Sequence, residues 1–445
     1  MFTFQLKHLG AILTGCMLLF MACPDPIIAP EQTLEITADY VSAKEVWLGV
    51  RFQDSIQPRG LVIKRDGVAI YSVADAPSNV LFRDSSLTPN RSYSYSAERP
   101  DKQNDKPASM LVTTSDTTNH FISWQIDTIA SDGLIRDVWI FDSNNIWAVG
   151  EIQVDSSGSP LFYGFAFWDG AGWTLGRKDA LEPSGAPVNL QPRGIFAFSP
   201  TDIWLAGGGV YHWNGSTMTP YWINPFGGNP SPILSEGQTA EKVWGTSSSN
   251  IFAVGRGGAI AHFNGTTWTK MESGTTVGLE DIWGIDGNHI WASGRSDADG
   301  RSIVLAYSGS TWKTIYDNTT KPPPQQFGFN TVWTDNPRSI HLTGSGSTAI
   351  LHGPSETVYT KDTGKEYFSY HIRGTSPADL FISGQGSELL HFNGSSWYLY
   401  PEIAALGATN TAGWLRIHAR ENVVAVGGLI VTGLTSAPVV LRGNR

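Results

Sequence analysis

One pattern, repeated from residue 120 to the end, restricts this chain more than any other feature. With Trp139 as position zero, its counterparts are Phe196, Trp244, Trp283, Trp333, Arg373 and Arg416. An aliphatic residue precedes each: Val138, Ile195, Val243, Ile282, Val332, Ile372 and Leu415. Eight positions on stand Trp147, Trp204, Phe252, Trp291, His341, Phe381 and Val424. Eleven positions on is a glycine in every copy: Gly150, Gly207, Gly255, Gly294, Gly344, Gly384 and Gly427. Seven matches at fixed offsets are not a chance pattern. Each copy reads as four strands. The third closes in Asp169-Gly170, Asn214-Gly215, Asn264-Gly265 or Asn393-Gly394, pairs that suit hairpins needing positive φ. The fourth opens at Trp173, Trp268, Trp312 or Trp397.

Four antiparallel strands recurring every 39–57 residues predict a seven-bladed β-propeller over residues 120–445. The last copy, 415–443, has only three strands, while 121–127 reads as a fourth strand with no blade before it. That N-terminal strand is expected to complete the last blade, so that no sheet edge stays open. The composition agrees. The chain has 445 residues, 48 Gly and 17 Trp, and only 16% charged residues against about 25% in an ordinary globular chain. A net charge of −10 speaks against nucleic-acid binding, which needs a basic footprint.

The repeat resembles the Trp-rich propeller repeats of bacterial surface lipoproteins and, more distantly, kelch and WD40 repeats. The Gly-His and Trp-Asp marks of WD40 repeats are missing. Asn264-Gly265-Thr266-Thr267-Trp268 has the Trp of the sialidase Asp-box without its spaced Asp and Gly, so no catalytic residues carry over.

Residues 1–23 read as an export signal: Lys7 and His8, then Leu9 to Ala22, a 14-residue apolar stretch too short to span a bilayer. Both cysteines lie here. Leu13-Thr14-Gly15-Cys16 and Phe20-Met21-Ala22-Cys23 each resemble the lipobox of bacterial lipoproteins. Cys23 leaves the fuller apolar run and is the favoured lipidation site, with Cys16 the alternative and an ordinary secretory signal a third reading. The expected location is the bacterial cell envelope, lipid-anchored at the outer membrane or cell surface. Residues 24–31 form a Pro-rich tether.

Residues 32–115 alternate apolar and polar with turns at strand spacing, over expected strands 33–41, 45–53, 60–66, 68–73, 79–83, 91–98 and 109–114. Leu87-Thr88-Pro89-Asn90-Arg91-Ser92-Tyr93 resembles the fibronectin type III signature, and Trp47 sits where that family keeps its core Trp. The resemblance implies a β-sandwich, with Tyr93 capping a corner through its hydroxyl. A different immunoglobulin-like sandwich is the other reading. A spacer role is expected either way. The fold class is thus all-β, a sandwich followed by a propeller.

His212, His262, His352 and His391 share one place in the third strand, but on different blades they cannot converge on a metal, and structural hydrogen bonding is expected. Insertions at 151–162, 176–193, 223–241, 295–302, 317–329 and 402–413 all fall on one face, the expected binding face. Beside the repeated glycines there stand Glu151, Arg256, Arg295 and Gln385. Arg256 and Arg295, on adjacent blades, suit a carboxylate or sulfate. Asp297, Asp299 and Arg301 share one enlarged loop that begins like a calcium loop but lacks its later oxygen ligands. Pro322, Pro323, Pro324, Phe327 and Phe329 offer either an aromatic contact surface or a stiff link.

No cofactor motif and no local acid–base pair or nucleophile is legible. The leading expectation is a non-enzymatic envelope protein that presents a propeller face to protein or glycan. A polysaccharide lyase or hydrolase remains open, because Glu151, Glu241, Glu280 and Asp281 can meet near the ring mouth. A structural envelope-assembly factor is the third possibility.

Overall fold

The computed structural model describes residues 33–445 except 56–57, 103, 157–158, 226–228, 230, 321–327, 346, 352–358, 363–367 and 410. The export segment, the tether, Cys16 and Cys23 lie outside the described residues, as do Pro322, Pro323, Pro324, Phe327 and His352. The described chain falls into two compact units. One takes the chain up to Ile36 with Val50–Val80 and Ser94–Met110; the other takes Thr37–Gly49, Leu81–Tyr93 and Leu111–Arg445.

The N-terminal strands are Leu34–Val41, Glu45–Phe52, Leu61–Arg65, Val68–Val73, Asn79–Ser85, Ser92–Glu98 and Ala108–Thr113, each within two residues of its expected limits. The first, second and fifth share one sheet; the third, fourth, sixth and seventh share another. Tyr93 is buried, and its hydroxyl accepts the Thr88 N–H at 2.9 Å. Trp47 is buried as well.

From Ser123 onward the described residues build seven four-stranded antiparallel sheets. Their inner strands are Asp132–Asp142, Gly194–Ser199, Thr239–Ser247, Asp281–Asp286, Thr331–Trp333, Ser369–Ser376 and Thr411–Arg420. Each inner strand lies against the next, and the seventh lies against the first, which is the β-propeller arrangement. Strand Ser123–Thr128 pairs with Thr435–Asn444 as the fourth strand of the seventh sheet. It is tied on both sides. Asp127 pairs with Arg442 of the seventh sheet and accepts the Trp173 indole N–H of the first at 2.9 Å. The Arg442 guanidinium lies 3.5 Å over the Trp168 ring.

The turns work as their residues require. Asn264 Oδ1 accepts the N–H groups of Thr266 and Thr267 at 3.0 and 2.9 Å, while Gly265 takes a φ of +92°. The third-strand histidines bond within their own sheets, and His391 also meets the His120 ring through Nδ1 at 2.9 Å. His212, His262 and His391 stack on Trp204, Phe252 and Phe381, and their Nε2 atoms meet Asp202, Asn250 and Asp379 at 2.9, 2.7 and 2.9 Å. Each ring therefore pins the end of the first turn to the third strand.

The repeated glycine has a steric cause. In the third sheet the pairing skips a residue between Ala240 and Lys242, a bulge that drives the inner backbone onto Gly255. A Cβ at Gly255 would overlap the Thr239 carbonyl oxygen and sit 2.9 Å from the Glu241 nitrogen. Gly255→Ala is therefore expected to destabilise the fold by about 3 kcal/mol in urea unfolding, at the upper end of ordinary overpacking; a loss under about 0.5 kcal/mol would contradict this steric account.

The same bulge corrects the alignment of the last copy. Tyr370 is skipped in the sixth sheet and Leu415 in the seventh. Position zero in the seventh sheet is therefore His418, preceded by Ile417, rather than Arg416 preceded by Leu415. The close-approach glycine there is Gly428, whose Cβ would overlap the Gly413 carbonyl; Gly427 instead faces Ile135.

Candidate functional site: an arginine-lined basin at the ring mouth

A bulged residue loses its cross-strand partner and is re-aimed. Here the bulge recurs on the innermost strands, so its residues are delivered to the ring mouth. Arg136, Glu241 and Leu415 are skipped in the pairing, and Arg193 and Glu280 hold the matching places. These five line a cavity of about 490 Å³, together with Arg256, Gly278, Leu279, Arg295, Asp297 and Arg416. Five arginines thus face three carboxylates, in a chain whose net charge is −10.

The ion pairs are uneven. Arg136 holds Glu151 through Nε and Nη2 at 3.0 and 2.8 Å. Arg193 Nη1 meets both Glu241 oxygens at 3.1 and 2.9 Å, and Arg256 Nε meets the same carboxylate at 3.2 Å. Arg416 donates to the carbonyls of Glu280 and Leu415 at 3.2 and 3.3 Å. Arg295 lies 5.2 Å over the Phe368 ring. The Nε atoms of Arg295 and Arg416 are buried without a hydrogen-bond partner among the described residues. Glu280 is pushed up from the ordinary carboxylate range, by burial above all and further by Asp297 and Asp281, against the pull of Arg416 and of the Asn330 amide at 3.2 Å.

Beneath the basin the axis is closed by buried polar groups at position zero and two positions before it. Asp137 accepts the Ile195 N–H at 2.9 Å and pairs with Lys242. Asp281 takes a two-pronged pair from Arg373 at 2.7 and 3.0 Å, plus the Val332 N–H at 3.1 Å and the Thr331 hydroxyl at 2.7 Å. His371 Nδ1 accepts the Ile417 N–H at 3.2 Å. His418, at the corrected position zero, does the same for Ile140 at 3.0 Å and stacks on Trp139 at 4.2 Å. Backbone groups that would otherwise face the closed axis unpaired are satisfied this way.

The expected site residues divide among different places. Arg256, Arg295 and Asp297 line the basin, and Glu151 reaches it through Arg136. Asp299 caps its own hairpin by accepting the Arg301 N–H at 3.1 Å. Arg301 turns away to Asp317 at 2.7 Å and lines a separate surface hollow with Lys270 and Glu272. Gln385 bridges the backbones of Phe368 and Gly413 outside the lining. Of the carboxylates expected at the mouth, Glu241 and Glu280 are there, while Asp281 is buried below with Arg373. Arg136, Arg193 and Arg416 were not legible as site residues. Their signal is the column three before position zero, and for Arg416 the shifted last copy.

No family model matches the chain, and no curated protein matches it. Among solved structures it is similar to YCF48 bound to D1 peptide, at 12% identity over 74% of this chain and 97% of that one, with a TM-score of 0.53. It also matches YCF48 from Cyanidioschyzon merolae at 12% identity, over 72% of this chain and 98% of that one, with a TM-score of 0.46. The WD40 β-propeller domain of Doa1 matches at 9% identity, over 72% and 97%, with a TM-score of 0.47. The likeness is one of fold.

Proposed function

We propose that this chain is a binding protein, a seven-bladed propeller closed by its own N-terminal strand, whose mouth basin takes an acidic segment of a protein partner. The observation that carries this reading is the excess of arginine over carboxylate in a concave site on a chain that is acidic overall. The D1 peptide bound to YCF48 adds support for a protein ligand over a glycan. Residues 32–115 serve in this reading as a fibronectin type III-like spacer, and Cys23 as the lipid anchor that holds the protein at the bacterial envelope.

A panel of acidic and basic peptides, measured by fluorescence anisotropy, tests the reading. The acidic set is expected to bind, and Arg295→Glu with Arg416→Glu to weaken it about 100-fold, the scale of losing close charge pairs. Equal binding of basic peptides would contradict the reading. A second reading is a polysaccharide-active enzyme. It draws on Glu280 and Tyr370, both raised in pKa by burial, beside the arginine wall. Release of product from an acidic polysaccharide, abolished in Glu280→Gln, would favour it.

A further inference from the structure

We infer that, within this basin, Arg295 and Arg416 form the seat for a single ligand carboxylate, and that Glu280 is the proton-bearing group controlling its occupancy; this rests on the binding reading above. The other three arginines are already matched: Arg136 to Glu151, and Arg193 and Arg256 to Glu241. Arg416 has only carbonyl acceptors at its Nη atoms, Arg295 has a ring face, and each keeps a buried Nε without a partner among the described residues. A buried guanidinium N–H lacking an acceptor is unfavourable, and an oxyanion relieves it.

Glu280 shares that wall. The groups facing it are Arg416 from the seventh sheet, Asn330 before the fifth, Asp297 beyond the fourth sheet's second strand, Asp281 beside it and Tyr370 from the sixth. Burial already favours its neutral form. A ligand carboxylate entering the same cavity adds a second negative charge, and two adjacent carboxylates do not both stay ionised cheaply. Glu280 therefore takes up a proton as the ligand seats, and the neutral acid donates its O–H to a ligand oxygen. The sign follows from linkage. The bound state holds one proton more, so affinity rises as pH falls, by at most about tenfold per unit, until free Glu280 is itself protonated. Below about pH 4 the ligand's own carboxylate protonates and affinity falls again.

Acetate is the probe, titrated into the full chain at pH 5, 6.5 and 8. The readout is the 1H–15N Nε resonances of the arginines, with Arg295→Lys and Arg416→Lys as assignments. The Arg295 and Arg416 signals are expected to move first, with acetate at least tenfold weaker at pH 8 than at pH 5. Glu280→Gln, which cannot titrate, is expected to bind equally at all three pH values and at least tenfold more tightly than the parent at pH 8. Shifts spread evenly over the five arginines, or parent affinity constant from pH 8 to pH 5, overturn the inference and leave the binding reading standing; the parent pH series decides this even if Glu280→Gln fails to fold. No shift at any arginine at any pH overturns both.

Discussion

Asp281→Ala is expected to lower the unfolding free energy by about 3–5 kcal/mol, the usual consequence of removing one partner from a buried ion pair. Arg373 is left with its side chain almost wholly buried and stacked 4.5 Å over Trp283, where water does not replace the lost carboxylate. The Val332 N–H and the Thr331 hydroxyl lose their acceptor as well. The effect is large because Asp281 joins three sheets: its own, the fifth and the sixth. Urea unfolding of the single variant and of Asp281→Leu with Arg373→Met separates the two contributions. The double variant is expected to recover much of the loss, since an apolar pair leaves no stranded charge. A single-variant loss below about 1 kcal/mol would mean that the axial pair does not hold the ring in register.

Acid is expected to destabilise the fold between pH 6.5 and about 3, through His418 and His371. His418 is lowered to about 3, by burial first and then by Arg373, Lys242 and Arg420. His371 is held well below the ordinary value, by burial and then by Arg373. Below pH 6.5 the unfolded chain binds protons that these buried rings refuse, because each ring must keep Nδ1 free to accept a backbone N–H. Stability therefore falls with pH, by up to about 1.4 kcal/mol per unit for each histidine, or about 5 kcal/mol for His418 over its window. Asp281 acts lower. Burial opposes its ionisation, yet Arg373 and His371 hold it well below the usual carboxylate range. Its contribution is present above the unfolded value and lost only as pH falls through the folded one. Glu280, raised in the folded state, works in the opposite direction to the histidines. The test is therefore a variant, not the parent curve alone. His418→Asn offers an amide oxygen to Ile140 and cannot titrate in this range. Its stability is expected to vary less steeply between pH 6.5 and 4 than the parent's; an unchanged slope would remove His418 from the account.

Much of the strand layout was readable from residue types. Asn-Gly and Asp-Gly turns, Trp at strand starts and alternation in residues 32–115 placed strand ends to within a residue or two. The site was less readable. Glu151, Arg256, Arg295 and Gln385 stand in one column beside the repeated glycine, yet only Arg256 and Arg295 of these four line the basin. That column lies on the second strand, one strand spacing of about 4.8 Å farther from the axis than the first. Arg136, Arg193, Glu241 and Glu280 reach the basin from the inner strand or the residue just before it, three places before the repeated aromatic. Asp299 and Arg301 shared a loop with Asp297 in sequence, but a hairpin turn and Asp317 draw them outward.

The sequence by itself determined the repeat, the strands, the turns and the all-β class, because these follow from local periodicity and turn chemistry. Tertiary structure alone decided which side chains meet. A bulge shifts the alternation by one residue without altering the apolar pattern around it, so Arg136 looks like an ordinary strand position until the inner strands are packed around one axis. The last copy shows the same limit. Gly427 and Gly428 are indistinguishable as letters, and only the approach of the Gly413 carbonyl to Gly428 fixes the register that makes Arg416 a basin residue and His418 an axial one.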